Sequence, residues 1–350
     1  MSCRVPRSRL VAHILTAALG ALALIVTSSA VEAAEPPPVE EGRTLVAAHK
    51  LDGSVCFYET ATGRRTARVE VGRRPHEIAL SHDRKTAFVT LYGIDLYTED
   101  TEGGRAVAIV DLVKREKVGE IDLGKYRRPH GIEVGHHSGR LYITCDRPAA
   151  LLILDPVERR VVQAVELNDT QSLPHMCSVT ADEKTAFVAC CGTASVETVD
   201  LAAGKNVKQI PIGGVPMGMT LTKDDKTLFA VNRTADGVAV IDVTSATVRR
   251  IIPIAGQPVR CHLTPDGARL LVTLIASGEC AVVDVAKLES MQRLPIGARV
   301  EGLTVDPSGK FAYASAQADN QIVKFSLDGE PQRVLTIEAP GRPDPLGVLP

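Results

Sequence analysis

The chain has 350 residues, with 40 Lys and Arg against 42 Asp and Glu, for a formal net charge of −2. This near balance, with no Lys/Arg block, excludes the electrostatic footprint of a general nucleic-acid binder. Trp is absent and aromatic residues make up 3% of the chain, which argues against a sugar-stacking platform.

At the amino terminus, Arg4, Arg7 and Arg9 precede an apolar stretch from Leu10 to about Val26, followed by small residues through Ala34. A basic, then apolar, then small-residue order is that of a cleaved secretory signal peptide. An uncleaved anchor helix of similar length is the alternative. Cleavage after residue 34 removes three arginines and one glutamate, leaving a mature charge of −4 and a periplasmic or secreted protein. Residues 35–42 are Pro-rich and acidic and read as an extended spacer. No later run is long or apolar enough to span a membrane. Seven cysteines remain, an odd number scattered through a domain large enough to bury its own core, so no disulfide framework is required.

From residue 43 onward the chain repeats. Pro75, Pro129, Pro174, Pro216, Pro258, Val300 and Pro343 mark seven starts, separated by 54, 45, 42, 42, 42 and 43 residues. The unit begun at Pro216 shows the order of each step. Met217–Thr222 alternates, residues 223–226 turn, Thr227–Val231 runs apolar, and residues 232–237 loop. Val238–Ile241 then runs apolar, Asp242 opens a turn, and Val248–Ile254 completes the unit. Four short β-branched and aliphatic segments separated by Asp/Gly/Asn turns, at a period near 42, predict a β-propeller blade. Asp111, Asp155, Asp200, Asp242 and Asp284 recur at the third turn, where a carboxylate fixes the backbone two residues on.

Residues 43–72 carry the second, third and fourth strands of a unit without the first, and residues 344–349 supply a first strand with nothing after it. The expected fold is therefore all-β. It is a seven-bladed propeller of four-stranded antiparallel blades over residues 43–350, its ring closed by the two chain ends. The segments Phe229-Ala230-Val231-Asn232 and Val238-Ala239-Val240-Ile241-Asp242 resemble the YVTN-type seven-bladed propeller family, whose wider superfamily is lactonase-like and cytochrome d1-like. The resemblance covers the whole mature chain. It implies the fold and not one activity, since the family spans lactonases, lyases, metal enzymes, surface proteins and uncharacterised exported proteins.

In this topology the residue after each start and the end of each second strand share one face, at the mouth of the central channel. The first series reads His76, His130, His175, Met217, Val259, Glu301, Asp344; the second reads Leu91, Cys145, Cys190, Asn232, Leu274, Ala316, His49. Three consecutive blades thus present an imidazole. His76, His130 and His175 are candidate ligands for one copper or zinc ion, with Cys145, Cys190 and His49 as further donors. The alternative is that these histidines only cap the inner strands.

Arg74, Arg128, Arg299 and Arg342 precede the ring position in four blades, and Arg147, Arg233 and Arg260 lie near the same mouth. They are either a clamp for an anionic ligand or loop arginines paired internally. An insertion of about ten residues, Tyr92 to Gly104, rises on this face with Tyr92 and Tyr97, as a lid, a docking loop or a tolerated surface insertion. No phosphate loop, nucleophile elbow, haem-attachment motif or zinc-protease helix is present in the sequence. Two function classes follow. One is a monomeric binding or scaffold propeller holding a small ligand, a metal or a protein partner at this face. The other is a metal-dependent hydrolase or lyase with Glu301 or Asp344 as general base.

Overall fold

The computed structural model describes residues 43–95, 98–167 and 169–350; the expected signal peptide, the spacer and Tyr97 lie outside the described residues. These residues form 28 strands in seven four-stranded sheets, and none is helical. No described helix is therefore long and apolar enough to cross a membrane. The inner strands are Pro75–Leu80, Arg127–Val134, Pro174–Val179, Pro216–Leu221, Pro258–Leu263, Val300–Val305 and Pro343–Leu349. Each packs against the next, and the last against the first, so the sheets close a ring of seven blades, numbered here in that order.

Each blade is a sheet buried on both faces, which is why its middle strands read as continuous apolar runs instead of alternating. Thr227–Asn232 is buried at every position after the first, and Gly237–Asp242 at every position before the last. The outermost strand has no neighbour on one side and is polar: Thr247–Pro253 and Lys205–Pro211 are mostly exposed and carry Arg or Lys. Charged side chains there discourage edge-to-edge pairing with other molecules.

The predicted ring position holds in all seven blades. Pro75 pairs with Leu91, Pro129 with Cys145, Pro174 with Cys190, Pro216 with Asn232, Pro258 with Leu274, Val300 with Ala316 and Pro343 with His49. One boundary differs, because the second strand of blade 2 runs on to Arg147, two residues past Cys145. The chain enters the inner strand through a left-handed residue in six blades: Arg74, Arg128, Leu173, Gln257, Arg299 and Arg342 have φ between 47° and 59°. A left-handed non-glycine residue costs about 1–2 kcal/mol, and in blade 4 Gly213 and Gly214 take that conformation instead.

Directly after the ring position every inner strand slips register, the mark of a β-bulge. The bulge takes the second residue's N–H out of the ladder, and in three blades a hydroxyl from the neighbouring strand accepts it. Thr90 Oγ1 accepts from Glu77 N at 3.0 Å and donates to the His130 carbonyl of blade 2 at 2.8 Å. Thr144 Oγ1 does the same between Gly131 N and the His175 carbonyl, at 2.8 and 2.6 Å, and Ser315 Oγ links Gly302 N to the Asp344 carbonyl. These buried hydroxyls staple each inner strand to the next. Blades also approach so closely here that a Cβ on Gly302 would lie 1.7 Å from the Asp344 carbonyl oxygen.

The seam is as expected: Pro343–Leu349 pairs antiparallel with Thr44–His49 and completes the sheet with Ser54–Glu59 and Arg65–Glu70. Leu346 and Val348 fill the core between blades 6 and 7, and Leu349 the core between blades 7 and 1. Each such side chain is worth about 1.5–3 kcal/mol of burial. Deleting residues 343–350 is expected to abolish soluble monomer or lower the melting temperature steeply, because it also bares the edge of Thr44–His49. A truncated chain that melts like the full one would overturn this account of closure.

Candidate functional site

The side chains just after the ring positions of blades 1 to 3 pack in a row, His76 against His130 and His130 against His175. His76 and His130 have ring centroids 4.1 Å apart, and His130 and His175 4.0 Å apart. Tyr92, buried at the start of the inserted loop, covers this arc at 4.8 Å from the His76 ring and 5.2 Å from His130. Its hydroxyl donates to Asp146 at 2.6 Å. Burial holds His76 and His130 well below the usual imidazole range, reinforced for His76 by Lys50 and for His130 by the neighbouring histidines. His175 is pushed down to about 3 by burial and by Arg260. All three rings are therefore neutral at physiological pH. The Nδ1 atoms of His130 and His175 are buried without a hydrogen-bond partner.

The two acidic residues of the sequence series, Asp344 and Glu301, are not the free general bases expected of them. Asp344 forms an ion pair with Lys50, and Glu301 pairs with Arg299 at 3.0 Å, lies 3.7 Å from Lys50 and accepts from Gln317 at 2.9 Å. Burial alone would raise the Asp344 carboxyl, but Lys50 and Arg260 beside it outweigh burial and hold it below the ordinary range. A carboxylate so stabilised is a poor proton acceptor.

The carboxylate nearest the histidines is instead Glu77. Ligand atoms of His76, Glu77 and His130 lie within 4.8 Å of one another. Burial raises the Glu77 carboxyl despite Arg260, which meets it in a two-pronged ion pair at 2.6 and 3.0 Å. Glu77 belongs to blade 1 and Arg260 to blade 5, which are not neighbours, so this pair spans the channel. The sequence carries its signal one place beyond the series used. The second residue after each start reads Glu77, Gly131, Met176, Gly218, Arg260, Gly302, Pro345, with one acid and one base among them.

The remaining candidates separate clearly. Cys145 and Cys190 do not face the mouth: both lie within blade-to-blade cores, and burial pushes their thiols up. The sulfur at the mouth is Cys191, one residue past the end of its strand. His49 is fully engaged, since Nδ1 donates to the Pro340 carbonyl at 2.6 Å and Nε2 accepts from the Tyr58 hydroxyl at 3.1 Å. Asn232 holds the Ile212–Ala235 turn through both ends of its amide. Among the arginines, Arg74 and Arg342 both pair with Asp95, Arg233 donates to Gln257, and Arg147 lies 3.8 Å from Asp100. Arg128 is buried and donates to the carbonyls of Glu99 and Thr101, tying the inserted loop down onto blade 2.

Two measurements check this geometry. Arg260→Met alone is expected to cost about 3–5 kcal/mol by stranding Glu77, and Glu77→Leu with Arg260→Met to recover most of that loss. Additive losses in chemical denaturation would mean that the two groups do not pair. The histidines make a second prediction through their depressed folded-state values. Below about pH 6.5 the unfolded chain takes up protons that the folded chain refuses, at about 1.4 kcal/mol per pH unit for each ring. Metal-free protein should therefore lose stability from pH 7 to pH 5, and His175→Gln should flatten that loss; an unchanged slope would mean His175 is not held neutral.

The family model for YNCE-like beta-propellers matches residues 94–309. No curated protein sequence matches the chain significantly. Among solved structures, Pseudomonas aeruginosa periplasmic gluconolactonase PpgL is 18% identical, with 88% of this chain and 99% of that one covered and a TM-score of 0.71. A functionally unknown protein from Desulfotomaculum acetoxidans DSM 771 is 12% identical over 88% of this chain and 99% of that one, also with a TM-score of 0.71. Kuenenia stuttgartiensis hydrazine synthase is 21% identical over 73% of this chain and 77% of that one, with a TM-score of 0.62. At these identities the likeness is one of fold, whereas the family match extends through most of the ring: the chain belongs to the YNCE-like β-propellers.

Proposed function

We propose that this protein binds a transition-metal ion at the mouth of its central channel through His76, His130 and His175, and acts outside the cytoplasm as a metal-binding propeller. The observation that carries the reading is a row of three neutral imidazoles from three consecutive blades, with His130 in ring contact with both of the others. Imidazole ligates a metal in its neutral form, and burial already holds these rings neutral. A buried polar atom without a partner costs about 1–3 kcal/mol, a cost that metal ligation at the Nδ1 atoms of His130 and His175 would remove. The arginines weigh against an anionic ligand as the main cargo, because Arg74, Arg260, Arg299 and Arg342 already face carboxylates of this chain.

A second reading, a metal-dependent hydrolase or lyase of the lactonase kind, is favoured by Glu77. A carboxyl raised by burial beside two imidazoles is suited to take a proton from metal-activated water. The fold shared with a periplasmic gluconolactonase agrees with that class without assigning it.

Elemental analysis of purified full-length protein, reconstituted with copper or zinc and desalted, is expected to find about one ion per chain. His130→Ala should lose it. A wild-type protein that retains no metal after titration with either ion would overturn the reading. Lactone hydrolysis by the loaded protein that disappears on chelation would decide for the enzyme.

A further inference from the structure

Glu77 meets Arg260 across the channel, and it also lies against the histidines. His76 and Glu77 are consecutive residues, and on a regular strand their side chains would point to opposite faces. Blade 1 slips register between Pro75 and Ile78, and there ligand atoms of His76, Glu77 and His130 all lie within 4.8 Å of one another. Thr90 Oγ1 ties two of the three together, accepting from Glu77 N at 3.0 Å and donating to the His130 carbonyl at 2.8 Å. Glu77 is 3% exposed and His130 6%, and the His130 Nδ1 has no hydrogen-bond partner among the described residues. Arg260 does not use up the Glu77 carboxylate. Its two oxygens offer about four acceptor sites, and Arg260 takes one on each, at 2.6 and 3.0 Å.

We propose that the ion taken at this mouth is divalent and has Glu77 as a direct ligand, which Arg260 positions from the far side of the channel. The proposal rests on the metal-site reading above and adds one carboxylate oxygen to His76, His130 and His175. Imidazole with a carboxylate suits a divalent ion such as Zn(II) or Cu(II), whereas Cu(I) favours sulfur. The other acids of the mouth are engaged elsewhere. Asp344 and Glu301 are drawn to Lys50, Glu301 also to Arg299, and Asp146 accepts from the Tyr92 hydroxyl. Asp344 lies 4.0 Å from Arg260, so the guanidinium keeps a second carboxylate beside it when Glu77 turns its charge to the ion. A carboxylate held by a two-pronged guanidinium is fixed in orientation, and outer partners of this kind set the geometry of metal ligands. As a ligand, Glu77 is not free to act as the proton acceptor of the enzymatic reading.

The test uses the full-length protein stripped of metal, with Zn(II) and Cu(II) alone as probes. Affinities are read by competition with a chromophoric chelator, and the ligand set by electron paramagnetic resonance of the Cu(II) form. Glu77→Gln should weaken binding of both ions by about 100-fold and change the Cu(II) hyperfine splitting. Glu77→Leu with Arg260→Met removes the carboxylate without stranding a buried charge. It should show the same loss, and it keeps the comparison readable if Glu77→Gln does not fold. Arg260→Lys keeps the charge but not the fork and should weaken binding by about 10-fold with the Cu(II) spectrum little changed. An Arg260→Lys protein with wild-type affinity would strike out the positioning role. If the wild type binds neither ion, the metal-site reading fails and this proposal with it. If the wild type binds metal and both Glu77 variants hold it as tightly with an unchanged spectrum, the histidine site stands and Glu77 is only the partner of Arg260.

Discussion

The geometry of the mouth depends on one small device, the bulge that follows each ring position and the hydroxyl that repairs it. A bulge in the innermost strand releases a backbone N–H that is buried and must find a partner. Thr90, Thr144 and Ser315 supply that partner and, with their own hydrogen, reach the carbonyl of the next blade. One hydroxyl thus satisfies a donor within its blade and an acceptor outside it. The carbonyls gripped are those of His130, His175 and Asp344, so the same bonds that join the blades fix the backbone of residues that line the mouth. Thr273 extends the pattern to the Glu301 carbonyl at 2.9 Å. Precision at a site comes from such support more than from the side chains themselves.

Charge in the channel is arranged around the histidines without being placed on them. Glu77 and Arg260 neutralise each other across the axis, Asp344 lies 4.0 Å from Arg260, and Lys50 draws in Asp344 and Glu301. Buried ion pairs of this kind add little net stability, because desolvation offsets most of the attraction. Their effect here is electrostatic: Lys50 and Arg260 help to disfavour protonation of the rings. The inserted loop belongs to the same arrangement. Asp95 takes Arg74 and Arg342, while the buried Arg128 holds two of its carbonyls, so the loop is fastened to blades on either side of His76.

The repeat made the fold legible, because a period near 42 with four apolar segments admits few architectures, and the half-units at the two ends left only one way to close the ring. It also identified the ring positions and so the three histidines. It was less informative about partners. Cys145 and Cys190 were placed at the mouth by counting, but a strand buried on both faces sends every side chain into a core, and the sulfur that emerges is the first residue past the strand, Cys191. Glu77 and Lys50 lay one place beyond the positions counted. In blades 1 and 5 the second residue after the start, Glu77 or Arg260, reaches across the channel.

From the sequence alone came the seven blades, the seam made by both chain ends, and the arc of His76, His130 and His175, since each follows from spacing and local pattern. Only the tertiary structure decided which charges meet. Arg260 is 183 residues from Glu77 and on a blade that does not touch it, and Arg43 reaches Asp306 over 263 residues. Periodicity assigns a residue to a radius and a level of the ring, but a pair across the channel depends on side-chain reach and on what burial leaves unpartnered. Those are properties of the closed ring, and they do not exist until all seven blades are in place.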